Sequence, residues 1–547
     1  MVAHPLAGTV AAMRAALPWL MVLTLLTVVS APLVLTNDAL FIDGLHGDLI
    51  ATIWFYDLVG RTLPETPATL AAFDWPTPYA VAKEFPSTVD AALGGLWLRA
   101  QGWVAGWGEV QATILAVNTL GAAALAYAAG CRGAGVVLAG GLGLLCRQLW
   151  FDLVGARLNA AWPGLSMGAL AAALMLLTPR LHLAARLGLV AAGGLLGALA
   201  AHIYPPHLVG FAPLGLILLA GPARRSPRAL LWAAAPVTLA LLLSVPALQV
   251  IAETRAGRDC SRLMCPDRFH VLRVEDLARY RPAFGGLNQP GVNVTAWLAL
   301  PLVLLHTRRW TLLLGAVSLL PALLLSLGPC PSWGSQPLAG LRTLEAWSGL
   351  WCALHQLSDY GRGATVAAMG AAVLAGLGAE ALPRWWLRWP VALGLVGLTG
   401  WMFFNELTDP GKWRQPAESP AGVFLAGAAV GPVADLPYDR AGQFWSALAA
   451  PDHPRTNPLK LQPPPSQSAA LKWVHALGAG RPDDMPAPSR AQLADEVGLR
   501  WVLFEPSRCD LPQTRCAPGT VDRISAALGP PTVHGEGALY SWDLSPR

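Results

Sequence analysis

From residue 15 to residue 404 the chain alternates between long apolar runs and short polar turns, the pattern of helices that cross a bilayer core about 30 Å thick. The first run, 15–35, follows Arg14 and exceeds the apolar part of a secretory signal. It is read as a retained span rather than a cleaved leader. Further runs follow at 109–129, 134–151, 163–178, 187–203, 206–220, 229–250, 291–305, 310–328, 362–380 and 388–404, which makes about eleven spans. Only "HIYPPH" parts 187–203 from 206–220, so a re-entrant hairpin is an alternative there. Three polar pieces interrupt the pattern: 36–108, 251–290 and the tail 405–547. In the first, "LIATIWFYDLV" puts Ile50, Ile53, Trp54 and Leu58 on one helical face. The tail opens on the Pro-rich "TDPGKWRQPAESP". Strands are expected in "VADLP", "LRWVLFEP" and "GALYSWDL", and helices in "AALKWVHAL" and 489–498. The expected architecture is a polytopic all-α membrane domain, 1–404, with outer loops 36–108 and 251–290. A small α/β or α+β domain, 405–547, follows it.

Charge orients this bundle. With the N-terminus cytoplasmic, the inner turns hold Arg132, Arg180, Arg186, Arg224, Arg225, Arg228, Arg308, Arg309, Arg384 and Arg388. The other side holds Asp38, Asp43, Asp48, Asp57, Asp74, Glu84 and Asp90. Basic short turns confined to one side satisfy the positive-inside rule, which makes the tail extracytoplasmic in a bacterial cytoplasmic (inner) membrane. Six of the eight cysteines then fall outside, where disulfides persist. Local spacing pairs Cys260 with Cys265 and Cys509 with Cys516, whereas Cys330–Cys352 requires two distant segments to meet. Zinc at "CSRLMC" lacks a second pair of ligands nearby, and Cys131 and Cys146 are expected to be inert. A formal charge of +5, scattered through turns with no basic stripe, excludes nucleic acid as the partner.

Candidate chemistry gathers in "FIDGLHGDLIATIWFYDLV", directly beyond the first span. Asp48 precedes the helix-like segment and is there either as an N-cap or as a reactive group. Asp43 and His46 lie among Gly44 and Gly47, so the three side chains have a backbone that can bend to converge on magnesium or manganese. A carboxylate at the membrane face can also accept the proton of a hydroxyl as it attacks a sugar carbon. Positive partners for a donor's phosphate are Arg157, Arg362 and Lys83, with His46 nearby in sequence. Interfacial anchoring competes for both arginines, and Asp359 stands three residues from Arg362. Trp97, Trp103, Trp107, Trp150 and Trp162 are expected to form an aromatic belt. No Walker A, G-x-G-x-x-G after a strand, or H-E-x-x-H occurs.

The layout also carries "GD" at Gly47–Asp48 after the first span, "EFPSTVD" later in that loop, "LGP" at 327–329, "LSDYGR" around Arg362, and "VADLP" and "DLPYDRAGQFW" in the tail, with His453 beyond. With these residues the chain resembles the GT-C superfamily of polytopic membrane glycosyltransferases, especially uncharacterised bacterial membrane proteins related to it. The resemblance implies transfer of a sugar from a polyprenyl-phosphate donor to an extracytoplasmic glycan, lipid or protein acceptor. It places Asp48 first and Asp43 second as catalytic or metal-binding carboxylates. The superfamily's two-acid motif has one intervening residue, a spacing that Asp43 and Asp48 do not keep.

Two other classes compete. A lipid transporter would carry ionisable groups within its spans, and these spans are nearly free of acids. A non-enzymatic assembly or anchoring protein would use "WVLFEP" or 251–290 to bind a partner. The sequence leaves enzyme and anchor both open.

Overall fold

The first apolar run folds as one long helix, α1 (Pro5–Leu35), which buries Val22 and Leu33 and turns Met13, Leu17, Leu20, Leu23, Val28 and Leu35 outward. The structure is a computed structural model describing residues 5–36, 38–41, 47–62, 69–70, 79–80, 89–155, 158–178, 181–223, 227–255, 294–326, 332–333, 336–337, 363–408, 413–415, 419–438, 440–454, 468–481, 485–510, 514 and 516–545.

The two-residue strand β1 (Leu40–Phe41) leads to α2 (Gly47–Thr62), the hairpin β2 (Thr69–Leu70) and β3 (Tyr79–Ala80), and α3 (Val89–Gln101). Periodicity gives "LIATIWFYDLV" one apolar helical face. Among the described residues the first polar piece also holds α3, and α2 is buried nearly all round, Phe55, Tyr56, Asp57 and Val59 included. Its contact with α3 is close enough that a Cβ on Gly60 would run into the backbone of Gly95.

The bundle continues through α4 (Trp103–Ala129), α5 (Ala134–Leu144), α6 (Arg147–Val154), α7 (Pro163–Leu176), α8 (Leu183–Ile203), α9 (Pro205–Ala223) and α10 (Pro227–Arg255). After these come α11 (Val294–Ala299), prolonged as a 3-10 segment to Leu305, then α12 (Arg309–Ser318), α13 (Leu320–Ser326), the hairpin β4 (Ser332–Trp333) and β5 (Gln336–Pro337), α14 (Gly363–Glu380) and α15 (Trp385–Leu407). Among the described residues six stretches are long and apolar enough to cross a membrane: Ala15–Leu35, Trp103–Ala129, Ala134–Val154, Leu158–Leu176, Leu183–Ile203 and Gly363–Glu380. Shorter apolar helices accompany them. The chain is therefore a multi-pass, mostly helical membrane protein.

Two predicted runs break within their length. The run 134–151 divides at Leu145–Cys146 into α5 and α6, and the Trp150 indole donates to the Leu144 carbonyl (2.8 Å) freed there. The run 310–328 divides at Leu319, because Pro321 has no N–H to continue the ladder. Helices α8 and α9 meet at Tyr204, where Pro205 and Pro206 occupy a first turn that needs no donor.

Helices α5 and α14 form the centre of the bundle, with every residue of α5 and the whole stretch Ala364–Ala379 buried. Small residues permit this, since a Cβ on Gly135 or Gly376 would meet the other's carbonyl. At one end Glu380 accepts from the Gly133 and Gly135 amides (3.2 and 3.1 Å), two donors that the start of α5 cannot satisfy itself, and it pairs with Arg388 at 3.3 Å. Of the five tryptophans expected in an aromatic belt, Trp107, Trp150 and Trp162 are buried protein core, Trp103 is partly buried and Trp97 is exposed. Trp310, Trp385, Trp386 and Trp401 are exposed as well.

The tail begins with β6 (Trp413–Arg414), paired antiparallel with β1 in the register Leu40↔Arg414 and Phe41↔Trp413. It continues through α16 (Pro420–Gly427), β7 (Val433–Leu436), α17 (Arg440–Ala449), α18 (Ala469–Gly478), a π-helical turn at Gln492–Glu496, β8 (Trp501–Phe504), α19 (Thr520–Leu528), β9 (Thr532–His534) and β10 (Leu539–Asp543). The sheet order is β7-β8-β10-β9, with β7 parallel to β8 and the other pairs antiparallel. Strand β8 reads as an unbroken apolar run because both faces are covered: Val502 and Phe504 pack with α18 and α19, and Trp501 and Leu503 pack with α16. The three predicted strands and α18 are present, and the predicted helix at 489–498 is largely the π turn. Helices α16, α17 and α19 and strand β9 are additions that the sequence reading lacked.

Cys509 and Cys516 form a disulfide with Cα atoms 5.5 Å apart, and Cys131 and Cys146 are free and buried. The pairs Cys260–Cys265 and Cys330–Cys352 lie outside the described residues. Replacing Cys509 and Cys516 together by serine should destabilise the tail by about 2–3 kcal/mol, the cost of releasing a short loop in the unfolded chain. Denaturant unfolding followed by near-UV tryptophan signals would measure it.

Candidate functional site

The bundle, the first polar piece and the tail meet around β1 and α2. Gln111 of α4, fully buried, donates from Nε2 to the Phe41 carbonyl (3.1 Å) and to the Leu153 carbonyl (3.4 Å). The end of β1 is thereby held beside the end of α6, where Asp152 is a fully buried carboxylate. Aromatic rings close round the same point. Phe41 meets Trp150 edge-on at 6.0 Å and Trp413 at 5.1 Å, and Trp150 lies 6.0 Å from Phe403 of α15.

Helix α2 is fixed on the side of α3 by Tyr56, whose hydroxyl donates to Asp90 at 2.5 Å with both residues buried. Burial holds the Tyr56 phenol well above its ordinary value, and the charge of Asp90 and the hydrogen bond between them act in the same direction. Asp57, one residue on, is pushed up by burial and partly restored by Arg61, whose Nε lies 2.7 Å away.

On its other side α2 packs against α17. Trp445, Ala447 and Leu448 of α17 belong to the core of the bundle, and the Trp445 ring lies 5.1 Å from that of Trp103, tilted by 53°. Ser446 turns away from that core and donates to Asp435 of β7 at 2.5 Å. Arg508, just beyond β8, bridges Asp435 (2.9 Å), Glu505 (2.9 Å) and Ser419 (3.3 Å), all of them buried. Ser419 also caps α16 by accepting from the Gly422 amide (3.2 Å). One guanidinium thus ties the sheet, α16 and α17 together, and α17 carries that connection to α2.

Asp48 stands inside the first turn of α2, not ahead of the helix as an N-cap would. Its side chain lies outside the described residues, as do Asp43, His46, Lys83, Arg157 and Arg362. Among the described residues no group of three or more His, Cys, Asp or Glu side chains is placed to hold a metal ion. Sequence reasoning missed Gln111, Asp152 and the Asp435–Arg508 centre. Asp152 had a signal, as an acid within the apolar "RQLWFDLV". Gln111 had none, since a glutamine in a span reveals nothing of its partners.

His475 of α18 is buried, lies 5.5 Å from the Tyr438 ring, and has no hydrogen-bond partner at either nitrogen among the described residues. Burial lowers its pKa to about 4. The folded state therefore binds a proton less readily than the unfolded chain, whose histidine titrates near 6.5. The neutral ring costs nothing above about pH 6.5, and stability is lost as pH falls from there towards 4. The parent should lose about 2–3 kcal/mol more than His475→Leu between about pH 7 and pH 4.5, measurable by unfolding at several pH values.

No family model matches the sequence, and no curated protein matches it. Solved structures similar to the chain include the archaeal oligosaccharyltransferase AglB from Archaeoglobus fulgidus in complex with an inhibitory peptide and a dolichol-phosphate. That likeness has 11% identity and a TM-score of 0.48, covering 91% of this chain and 70% of that one. The Archaeoglobus fulgidus oligosaccharyltransferase tethered with an acceptor peptide containing the NVT sequon gives 11% identity and a TM-score of 0.48, over 94% and 71%. ArnT from Cupriavidus metallidurans bound to undecaprenyl phosphate gives 14% identity and a TM-score of 0.42, over 95% and 98%. Likenesses at that level say nothing of what this chain binds.

Proposed function

We propose that the protein transfers a sugar from a polyprenyl-phosphate donor to an extracytoplasmic glycan, lipid or protein acceptor. The observation that carries this reading is the course of the chain around Asp48. It leaves β1, which is pinned to the bundle by Gln111 and to the tail by β6, and enters α2, which is packed against α17 of the tail. An acid there stands between a membrane-embedded unit, where a lipid-borne donor resides, and a water-facing unit that can present an acceptor.

In this reading the Asp48 carboxylate takes the proton of the acceptor hydroxyl as its oxygen bonds to the sugar's anomeric carbon. The bond from that carbon to phosphate breaks, and polyprenyl phosphate leaves with the electron pair. Arg157, Arg362, Lys83 and His46 are proposed to hold the phosphate, with Asp43 assisting Asp48. Two carboxylates and an imidazole in one short stretch also form an oxygen-rich donor set of the kind magnesium or manganese takes, and such an ion would neutralise phosphate charge.

The test is transfer by the purified full chain from a panel of polyprenyl-phosphate sugars. Consumption of at least one donor is expected. No consumption from any, with the protein folded, would favour the assembly or anchoring reading. Sidedness is checked separately. Alkaline phosphatase fused after residue 404 should be active and fused near Arg225 should not, and the reverse pattern would invert the topology.

A further inference from the structure

We infer that Gln111 is a positioning residue, which sets the separation between the start of the acidic stretch and the Asp152 turn by holding one carbonyl from each on a single amide. Phe41 stands two residues before Asp43, and Leu153 directly follows Asp152. Both contacts are to acceptors, and the two N–H bonds on the one amide nitrogen can make them together without burying a charge. The remaining atom, Oε1, is buried with no partner among the described residues. Among those residues the two carbonyls alone orient the amide. A residue kept for packing alone would be apolar here, because a buried acceptor left without a donor destabilises the fold.

The catalytic consequence rests on the sugar-transfer reading proposed above, but the clamp itself does not. The test uses the full chain in lipid nanodiscs and compares Gln111→Leu and Gln111→Glu with the parent. Two readouts are taken: hydrogen exchange of the amides in α2 and α6, and the kinetics of transfer from polyprenyl-phosphate sugars. Gln111→Leu should raise exchange at the start of α2 by about tenfold or more, and lower kcat by a similar factor with KM nearly unchanged. In Gln111→Glu a protonated carboxyl can donate to one carbonyl and an ionised one to neither. Burial beside two carbonyl oxygens keeps that carboxyl protonated, so this variant should retain part of the protection and of kcat and fall between Gln111→Leu and the parent. A packing defect alone would not rank the three side chains by the donors they carry.

Unchanged exchange in Gln111→Leu, or a Gln111→Glu variant no better protected than Gln111→Leu, would overturn the inference. If the parent consumes no donor while exchange still follows the pattern above, the clamp stands and the sugar-transfer reading falls.

Discussion

Asp48→Asn is expected to slow sugar transfer by about a hundredfold or more while the amount of protein in the membrane and its melting temperature stay near those of the parent. Asparagine matches aspartate in size and suits the start of a helix nearly as well. The fold should lose only the interaction of one charge with the helix N-terminus, about 0.3–1 kcal/mol. What asparagine cannot do is accept a proton from an attacking hydroxyl. A full transfer rate in the variant would remove Asp48 from the chemistry.

The largest effect on stability is expected at Arg508. The Asp435–Arg508 pair is almost entirely removed from water, with side chains 1% and 3% exposed. Arg508→Ala would leave Asp435 and Glu505 buried without their cation, at a cost of about 3–5 kcal/mol. Asp435→Ala alone would strand the guanidinium less severely, because Glu505 and Ser419 still bond it. The double variant should lose clearly less than the sum of the two, the signature of direct coupling. Chemical unfolding of all three proteins measures this, and additive losses would contradict the network. The same substitutions should loosen α17 from the sheet, which limited proteolysis would reveal.

Legibility in the sequence followed the range of the interactions. The helical bundle could be read because lipid demands long apolar runs and these leave a mark at every position. Strands β7, β8 and β10 could be read because each is a short apolar run bounded by turns. The Cys509–Cys516 bond was legible from the side of the membrane its cysteines fall on together with their local spacing. Helix α17 was not, since "RAGQFWSALA" shows its purpose only when α2 and Asp435 stand on opposite sides of it. The tryptophans misled for a related reason. Trp107 and Trp150 lie near span ends as belt residues do, but the neighbours that bury them, Tyr56 and Phe41, come from a distant loop. Of the candidate site, the sequence singled out the acidic stretch beyond the first span, whose Asp43 and Asp48 side chains lie outside the described residues. Gln111, which anchors it, makes contacts between residues 41, 111 and 153, and no local pattern encodes such a meeting.

The pairing of β1 with β6 has a consequence for biosynthesis. Leu40 emerges soon after the first span and Arg414 only after the last, so their two-stranded sheet cannot form until the whole bundle has been threaded into the membrane. At about 5–20 residues per second, β1 and α2 wait for tens of seconds before β6 and α17 exist to cover them. During that interval the buried surface of α2 is open to proteases and to chaperones on the same side. Chains truncated before residue 413 should therefore be degraded from the first loop, even where every span has inserted correctly.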